Sequence, residues 1–197
     1  MKSTQNLKND HITIRRVKEI AQNCSNKLYA NQYVPIEDIE IISVIIEEFV
    51  DHFHHKKEEK AYFPDTKDKD GFAEDVRKFL IEHELGRRIA TMLRRELKEY
   101  KRKIKIKTQH DSNKQISIDL EPVARFLKSY SVFIDDHTGK EDKFFDLVDK
   151  KNVITNEEDE MLLKHYEMCK NDAGGEARMQ EMIVLIEYLE EREWMKK

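Results

Sequence analysis

The chain has 197 residues, 39% of them hydrophobic and 39% charged, with only 5 Gly and 3 Pro. That balance suits one solvated helical domain with a real core and argues against a turn-rich β fold or two full domains. A net charge of −4 gives no general attraction for nucleic acid or an anionic membrane. The two cysteines, Cys24 and Cys169, form no CxxC and suggest neither a disulfide framework nor a thiolate metal site. No apolar run approaches the roughly 20 residues needed to span a bilayer, and the first ten residues are polar. The expectation is a soluble cytoplasmic protein with no membrane or nucleic-acid partner.

A first helix is predicted from about Asn9 to Tyr29, where His11, Ile14, Val17, Ala21 and Leu28 recur at helical spacing. Pro35 suits the first turn of a second helix, which carries Ile42, Ile46, Val50, His54, Glu58 and Ala61 on one stripe and should stop at Pro64. The charged stretch from Asp65 to Gly71 reads as a loop. A third helix follows with Phe72, Val76, Phe79, Leu80, His83, Gly86 and Ala90 in line and a strongly basic far end. Lys101 to Ser117 is polar and mixed and is expected to be a loop. Pro122 opens a fourth helix with Phe126, Tyr130, Ile134, His137, Glu141, Phe145 and Val148 facing inward. Thr155 and Glu158 have capping-box spacing before a fifth helix that reaches about Cys169, and Ala173-Gly174-Gly175 ends it. A sixth helix spans about Glu176 to Trp194. The fold class is therefore all-α: an up-down-up-down four-helix bundle over residues 1–150, with two additional C-terminal helices. Residues 151–197 form an extension that packs on the bundle or at a homodimer interface.

Two phrases, His54-His55-Lys56-Lys57-Glu58 and His137-Thr138-Gly139-Lys140-Glu141, set an imidazole and a carboxylate four residues apart. Side chains at i and i+4 project to the same side of a helix, so each pair can chelate one metal ion. Helix rise brings further ligands to the same depth. His11 lies about 30 Å before the turn at Pro35 and His54 about 27 Å after it. His54 lies about 15 Å before Pro64, and His83 about 18 Å after Gly71. Four imidazoles and two carboxylates then meet in the interior, and burying Glu58 and Glu141 without partners would be costly. Mixed N/O ligation suits iron or manganese, and two ions are implied if each takes two histidines and both glutamates bridge. Open positions on such ions accept dioxygen, peroxide or nitric oxide.

The order Asp10-His11-Ile12-Thr13-Ile14-Arg15, His54 to Glu59 ending in Tyr62-Phe63-Pro64, Glu82-His83-Glu84-Leu85-Gly86-Arg87, and His137 to Asp142 resembles the hemerythrin-like HHE cation-binding domain over about residues 8–150. The resemblance implies a non-haem di-iron centre bridged by carboxylates and an oxo or hydroxo group, with His11, His54, Glu58, His83, His137 and Glu141 as ligands. Manganese or zinc would be substitutes. It implies a small diatomic ligand or peroxide as partner, with an electron donor, and a protein that binds or senses that ligand or reports iron and redox status. The alternatives are a non-catalytic interaction bundle with a structural metal and a peroxidase- or catalase-like enzyme. The invertebrate oxygen carriers have a second histidine one turn after the third-helix ligand; Arg87 stands there, which removes one imidazole.

Several residues near the pattern remain open. His55 precedes Glu59 by four and offers a shifted pair, Asp142 offers a substitute for Glu141, and Tyr62 and Tyr130 are each near a ligand by helical spacing. A bond from Arg87 to a buried glutamate would be the bland alternative to a metal. His110 and His165 fall in polar surroundings and read as solvated. The basic run Arg94-Arg95, Lys98, Lys101-Arg102-Lys103 reads as a solvated helix C-terminus complementing the macrodipole.

Overall fold

The computed structural model describes residues 1–109 and 119–196. Among them the order is α1 (Lys2–Tyr29), α2 (Ile36–Ile45), the π-helical segments π1 (Ile46–His55) and π2 (Glu58–Tyr62), α3 (Phe63–Thr66), α4 (Ala73–Gln109), α5 (Glu121–Lys151), α6 (Asn156–Asp172), α7 (Gly175–Glu190) and a 3-10 turn (Glu193–Met195). No strand occurs among the described residues. The run from α2 to α3 is one rod that serves as the second bundle helix, between α1 and α4, while α5 packs on both α1 and α4. No helix is long and apolar enough to cross a membrane among the described residues.

The π-helical stretch has a cause in the sequence. Ile42, Ile46, Val50, His54 and Glu58 follow one another at strict intervals of four, and all are buried. On a pure α-helix each such step drifts by about 40°, so the stripe would wind off the core within a few turns. The wider i→i+5 turns of π1 and π2 reverse that drift and keep the stripe inward. In α5 the buried residues Tyr130, Ile134, His137, Glu141, Phe145 and Val148 mix three- and four-residue steps, and that helix is regular throughout.

Three boundaries differ from the sequence expectation. α1 begins at Lys2, not Asn9, because a carboxylate 157 residues away in sequence closes its first turn: Asp159 of α6 accepts from the backbone of Lys2 (3.2 Å) and Ser3 (2.9 Å) and from the Ser3 hydroxyl. The second helix passes through Pro64 to Thr66, since Pro64 sits in the first turn of α3, where its missing N–H matters least. α4 continues from Lys101 to Gln109, where a loop is expected; the remainder of that stretch, including His110, lies outside the described residues. The basic run is thus within a helix, not at its C-terminus. Arg94 pairs with Glu47 (3.1 Å), Lys101 with Glu40 (2.6 Å) and Arg102 with Glu99 (3.0 Å).

The apolar interior falls into two clusters. One is aliphatic-rich and includes Ile14, Ile46, Val50, Leu93 and Ile134, joined by Met182, Ile186, Leu189 and Trp194 from α7 and the 3-10 turn. The other is aromatic-rich and includes Leu7, Tyr62, Phe63, Phe79, Phe144 and Phe145. On each bundle helix a histidine lies between a residue of one cluster and a residue of the other, so the four histidines share one layer.

The capping box predicted at Thr155 is present, with Glu158 donating its N–H to the Thr155 hydroxyl (3.2 Å) and accepting from the Thr155 N–H (2.8 Å). The Asp159 contact to α1 is the more exposed to test. Its carboxyl is held below the usual value because, although burial opposes ionisation, the Ser3 hydroxyl and N–H donate to it. A group with a depressed folded pKa contributes stability above its unfolded value near 4, lost as pH falls through the folded value. Asp159→Ala is therefore expected to lower stability by about 1 kcal/mol at neutral pH. In denaturant titrations the difference from the parent should shrink below about pH 4; a pH-independent difference would exclude the ionised cap.

Candidate metal centre

His11 of α1, His54 of π1, Glu58 of π2, and His83, His137 and Glu141 of α4 and α5 are all essentially inaccessible to solvent. Every residue predicted for the site therefore reaches one layer. His11 and His54 bring their Nε2 atoms to 3.0 Å. That separation matches two neighbouring ligands each about 2.1 Å from a common ion at a right angle. His83 and His137 lie edge-to-face with centroids 4.9 Å apart.

The two glutamates sit between these imidazoles. Glu58 turns Oε1 toward His54 (3.3 Å) and His11 (3.9 Å), and Oε2 toward His83 (3.3 Å). Glu141 turns Oε2 toward His137 (3.2 Å) and His11 (3.4 Å), and Oε1 toward His83 (3.3 Å). Both Glu58 oxygens, Glu141 Oε2 and His137 Nε2 are buried without a hydrogen-bond partner. Buried polar atoms are nearly always satisfied, so this concentration of unsatisfied ligand atoms is the fit expected of a cation site. One group, His11, His54, Glu58 and Glu141, and a second, His55, His83 and His137, each bring candidate ligand atoms within 4.8 Å of one another.

The outer nitrogens are held by carboxylates. His11 donates from Nδ1 to Asp142 (2.8 Å), His54 to Asp10 (3.0 Å), His83 to Glu59 (2.8 Å) and His137 to Glu82 (2.9 Å). An ionised carboxylate only accepts, so each Nδ1 carries a proton and each Nε2 faces inward, where release of its own proton leaves a lone pair for a cation; a carboxylate behind the ring orients and strengthens such an imidazole ligand. Each of these carboxylates also meets a cation: Asp142 with Arg15, Asp10 with Lys57, Glu59 with Arg87 (2.9 Å) and Glu82 with Lys140 (2.7 Å). The outer shell is thus charge-balanced, and the inner charge is set by Glu58, Glu141 and the protons on the imidazoles between them.

The electrostatics follow. Burial disfavours a charged His11, yet Asp142 and Glu141 raise it to about 9, and Glu141, Glu58 and Glu59 raise His83 against the same penalty. Burial likewise opposes ionisation of Glu58, but His54 and His83 hold its carboxyl well below the usual range. Protons on these imidazoles stand where cations would, so metal uptake displaces protons.

The rings are also walled in. Phe145 stacks on His11 (5.6 Å), Phe63 on His83 (5.7 Å) and Phe133 on His137 (5.2 Å). Gly86, one turn from His83, leaves the space that Phe133 occupies, since a Cβ there would lie 2.6 Å from the ring.

The family model of the hemerythrin HHE cation-binding domain matches residues 2–114, more than half of the chain. The chain belongs to the hemerythrin HHE family. No curated protein and no solved structure matches it. The matched span covers His11, His54, Glu58 and His83, while His137 and Glu141 lie on α5 beyond it. As a hemerythrin-family domain the protein is a metal-binding helical bundle with His/Glu clusters.

The neighbouring candidates take other places. Asp142 bonds His11 and Arg15. Tyr62 approaches Thr4 (3.5 Å) and packs edge-on against Phe145. His52 and His165 are exposed. Arg87 bonds Asp51 (3.0 Å) and Glu59, not a buried glutamate. Sequence reasoning missed the orienting role of Asp10, Glu59 and Glu82, although Asp10 and Glu82 each directly precede a ligand-type histidine, a pattern that could have signalled them. It also treated His54 and His55 as competitors, whereas both are buried in the site layer.

Proposed function

We propose that this hemerythrin-family protein is a non-haem di-iron protein in which His11, His54, Glu58, His83, His137 and Glu141 hold the metal pair. It binds or senses dioxygen, nitric oxide or peroxide, or reports iron and redox status. The observation that carries this reading is the division of the Glu58 carboxylate, one oxygen toward His11 and His54 and the other toward His83. A carboxylate so placed would offer one oxygen to each of two ions. Iron with open coordination positions supplies binding of a small ligand or electron transfer to it.

The chain's own residues supply selectivity. The aromatic walls and the closed ligand layer exclude bulk water. A cavity of about 100 Å³ lies between π1 and α4, lined by His55, Gly86, Ala90 and Tyr130 with Asp51 and Arg87. Its volume suits one or a few water-sized molecules, not an organic substrate. Manganese or zinc would find the same nitrogen and oxygen donors.

The test is anaerobic reconstitution with ferrous iron, followed by metal analysis and absorption spectra before and after exposure to air, peroxide or nitric oxide. About two irons per chain and a near-ultraviolet charge-transfer band after oxidation are expected. A protein that holds no iron overturns the reading. Two irons whose spectrum ignores all three ligands, with zinc restoring full thermal stability, would assign the metal a structural role instead.

A further inference from the structure

We propose that His55 is itself a metal ligand and supplies a third imidazole at the His83–His137 end of the pair. The inference rests on the di-metal reading above. It concerns an imidazole whose two nitrogens are both buried and without a hydrogen-bond partner. A histidine kept only for packing would satisfy at least one of them, because a buried polar atom left unpaired keeps the whole cost of its lost hydration. His55 stacks on His83 (centroids 3.9 Å) and meets His137 edge-on (5.6 Å), and the three imidazoles bring ligand nitrogens within 4.8 Å of one another; because an imidazole lone pair lies in its ring plane, ligation turns the His55 ring out of this stack.

The backbone explains how two consecutive histidines can serve one site. Neighbouring residues on an α-helix point about 100° apart. In the wider turn of π1 that angle narrows, so both His54 and His55 face the bundle interior, one toward each group. His55 also has the beginnings of the outer arrangement seen at the other four imidazoles. Asp51 lies 3.6 Å from its Nδ1, and Arg87 holds Asp51 at 3.0 Å while also bonding Glu59, the partner of His83. Arg87 thus occupies the place of the imidazole that the oxygen carriers have on the third helix, and fixes the carboxylates beside His55 and His83. The imidazole lost from α4 returns from the second helix.

The experiment is proton NMR of the cobalt(II)-loaded or diferrous protein in light and heavy water, in which each ligated histidine contributes one exchangeable, hyperfine-shifted ring N–H. The parent is expected to show five such signals, from His11, His54, His55, His83 and His137. His55→Phe, which keeps a ring stacked on His83, should lose one signal and bind its second ion at least tenfold more weakly. Four signals in the parent, or an unchanged set in His55→Phe with undiminished second-ion affinity, would overturn the assignment while leaving the di-metal reading intact. A parent that binds no metal overturns the underlying reading instead. If His55→Phe does not fold, the count in the parent decides alone.

Discussion

Glu58→Ala is expected to hold fewer than about one iron per chain where the parent holds about two. Glu58 is fully buried, and its two oxygens face imidazoles of both groups; Glu141 is placed alike, but its own oxygens are already turned to His11, His137 and His83 and leave the Glu58 position unfilled. Removing an orienting partner from a metal-bound histidine weakens binding 10–100-fold, and losing a ligand shared by both ions should exceed that. The metal-free variant should still fold, because the packing around the site is carried by Phe63, Phe145 and the two apolar clusters. Glu58→Gln, of the same volume but uncharged, separates loss of charge from loss of bulk and should resemble the alanine variant. Metal analysis after desalting, beside a circular-dichroism melt, checks both points. Iron retained at the parental level would remove Glu58 from the site.

Asp38→Ala is expected to produce the largest loss of stability without loss of metal. Asp38 of α2 is 1% exposed and accepts from Trp194 Nε1 (2.7 Å), Arg192 Nε (2.8 Å) and the Tyr188 hydroxyl (3.4 Å). These three donors fasten the C-terminal end of the chain over α2. Deleting the acceptor leaves the buried indole N–H without its charged acceptor, at a cost of about 2–3 kcal/mol; the ion pair to the partly exposed Arg192 adds little to this. For a chain of this size that lowers the thermal midpoint by about 5–10 °C. Iron stoichiometry should not change, and Trp194, the one tryptophan, should report the loosening in its fluorescence. An unchanged midpoint would show that the C-terminal segment adds nothing to the bundle.

How much of this was legible beforehand differs from helix to helix. The α5 stripe, with its mixed three- and four-residue steps, gives a regular helix whose inward residues can be named at once, and His137 and Glu141 fall in place. The second helix carried the same information in a form easily misread. Its unbroken four-residue steps bring His54 and Glu58 inward under an α-helical reading too, but only a widened turn keeps Ile42 and Glu58 on one face and brings His55 in beside His54. The start of α1 could not be read locally at all, because the group that closes it, Asp159, is on α6. The continuation of α4 past Lys101 had the opposite origin. Its charged residues look loop-like one by one, yet Lys101 and Arg102 find glutamate partners along and across the helix.

The carboxylates behind the imidazoles have a consequence for the mechanics of the bundle. Asp142 reaches from α5 to His11 on α1; Asp10, next to His11, reaches from α1 to His54 on the second helix; Glu59 reaches from the second helix to His83 on α4; and Glu82, next to His83, reaches from α4 back to His137 on α5. The four links form a closed belt that visits every bundle helix once. An open chain of contacts frees one helix when a link breaks, whereas a belt keeps each helix tied from the other side. On the proposed metal reading, the protein without metal is therefore expected to keep these imidazoles at spacing and depth, so that ions would enter a prepared cage without the helices parting. Energetic coupling between ligand positions on opposite helices is the corollary, even where their side chains never touch.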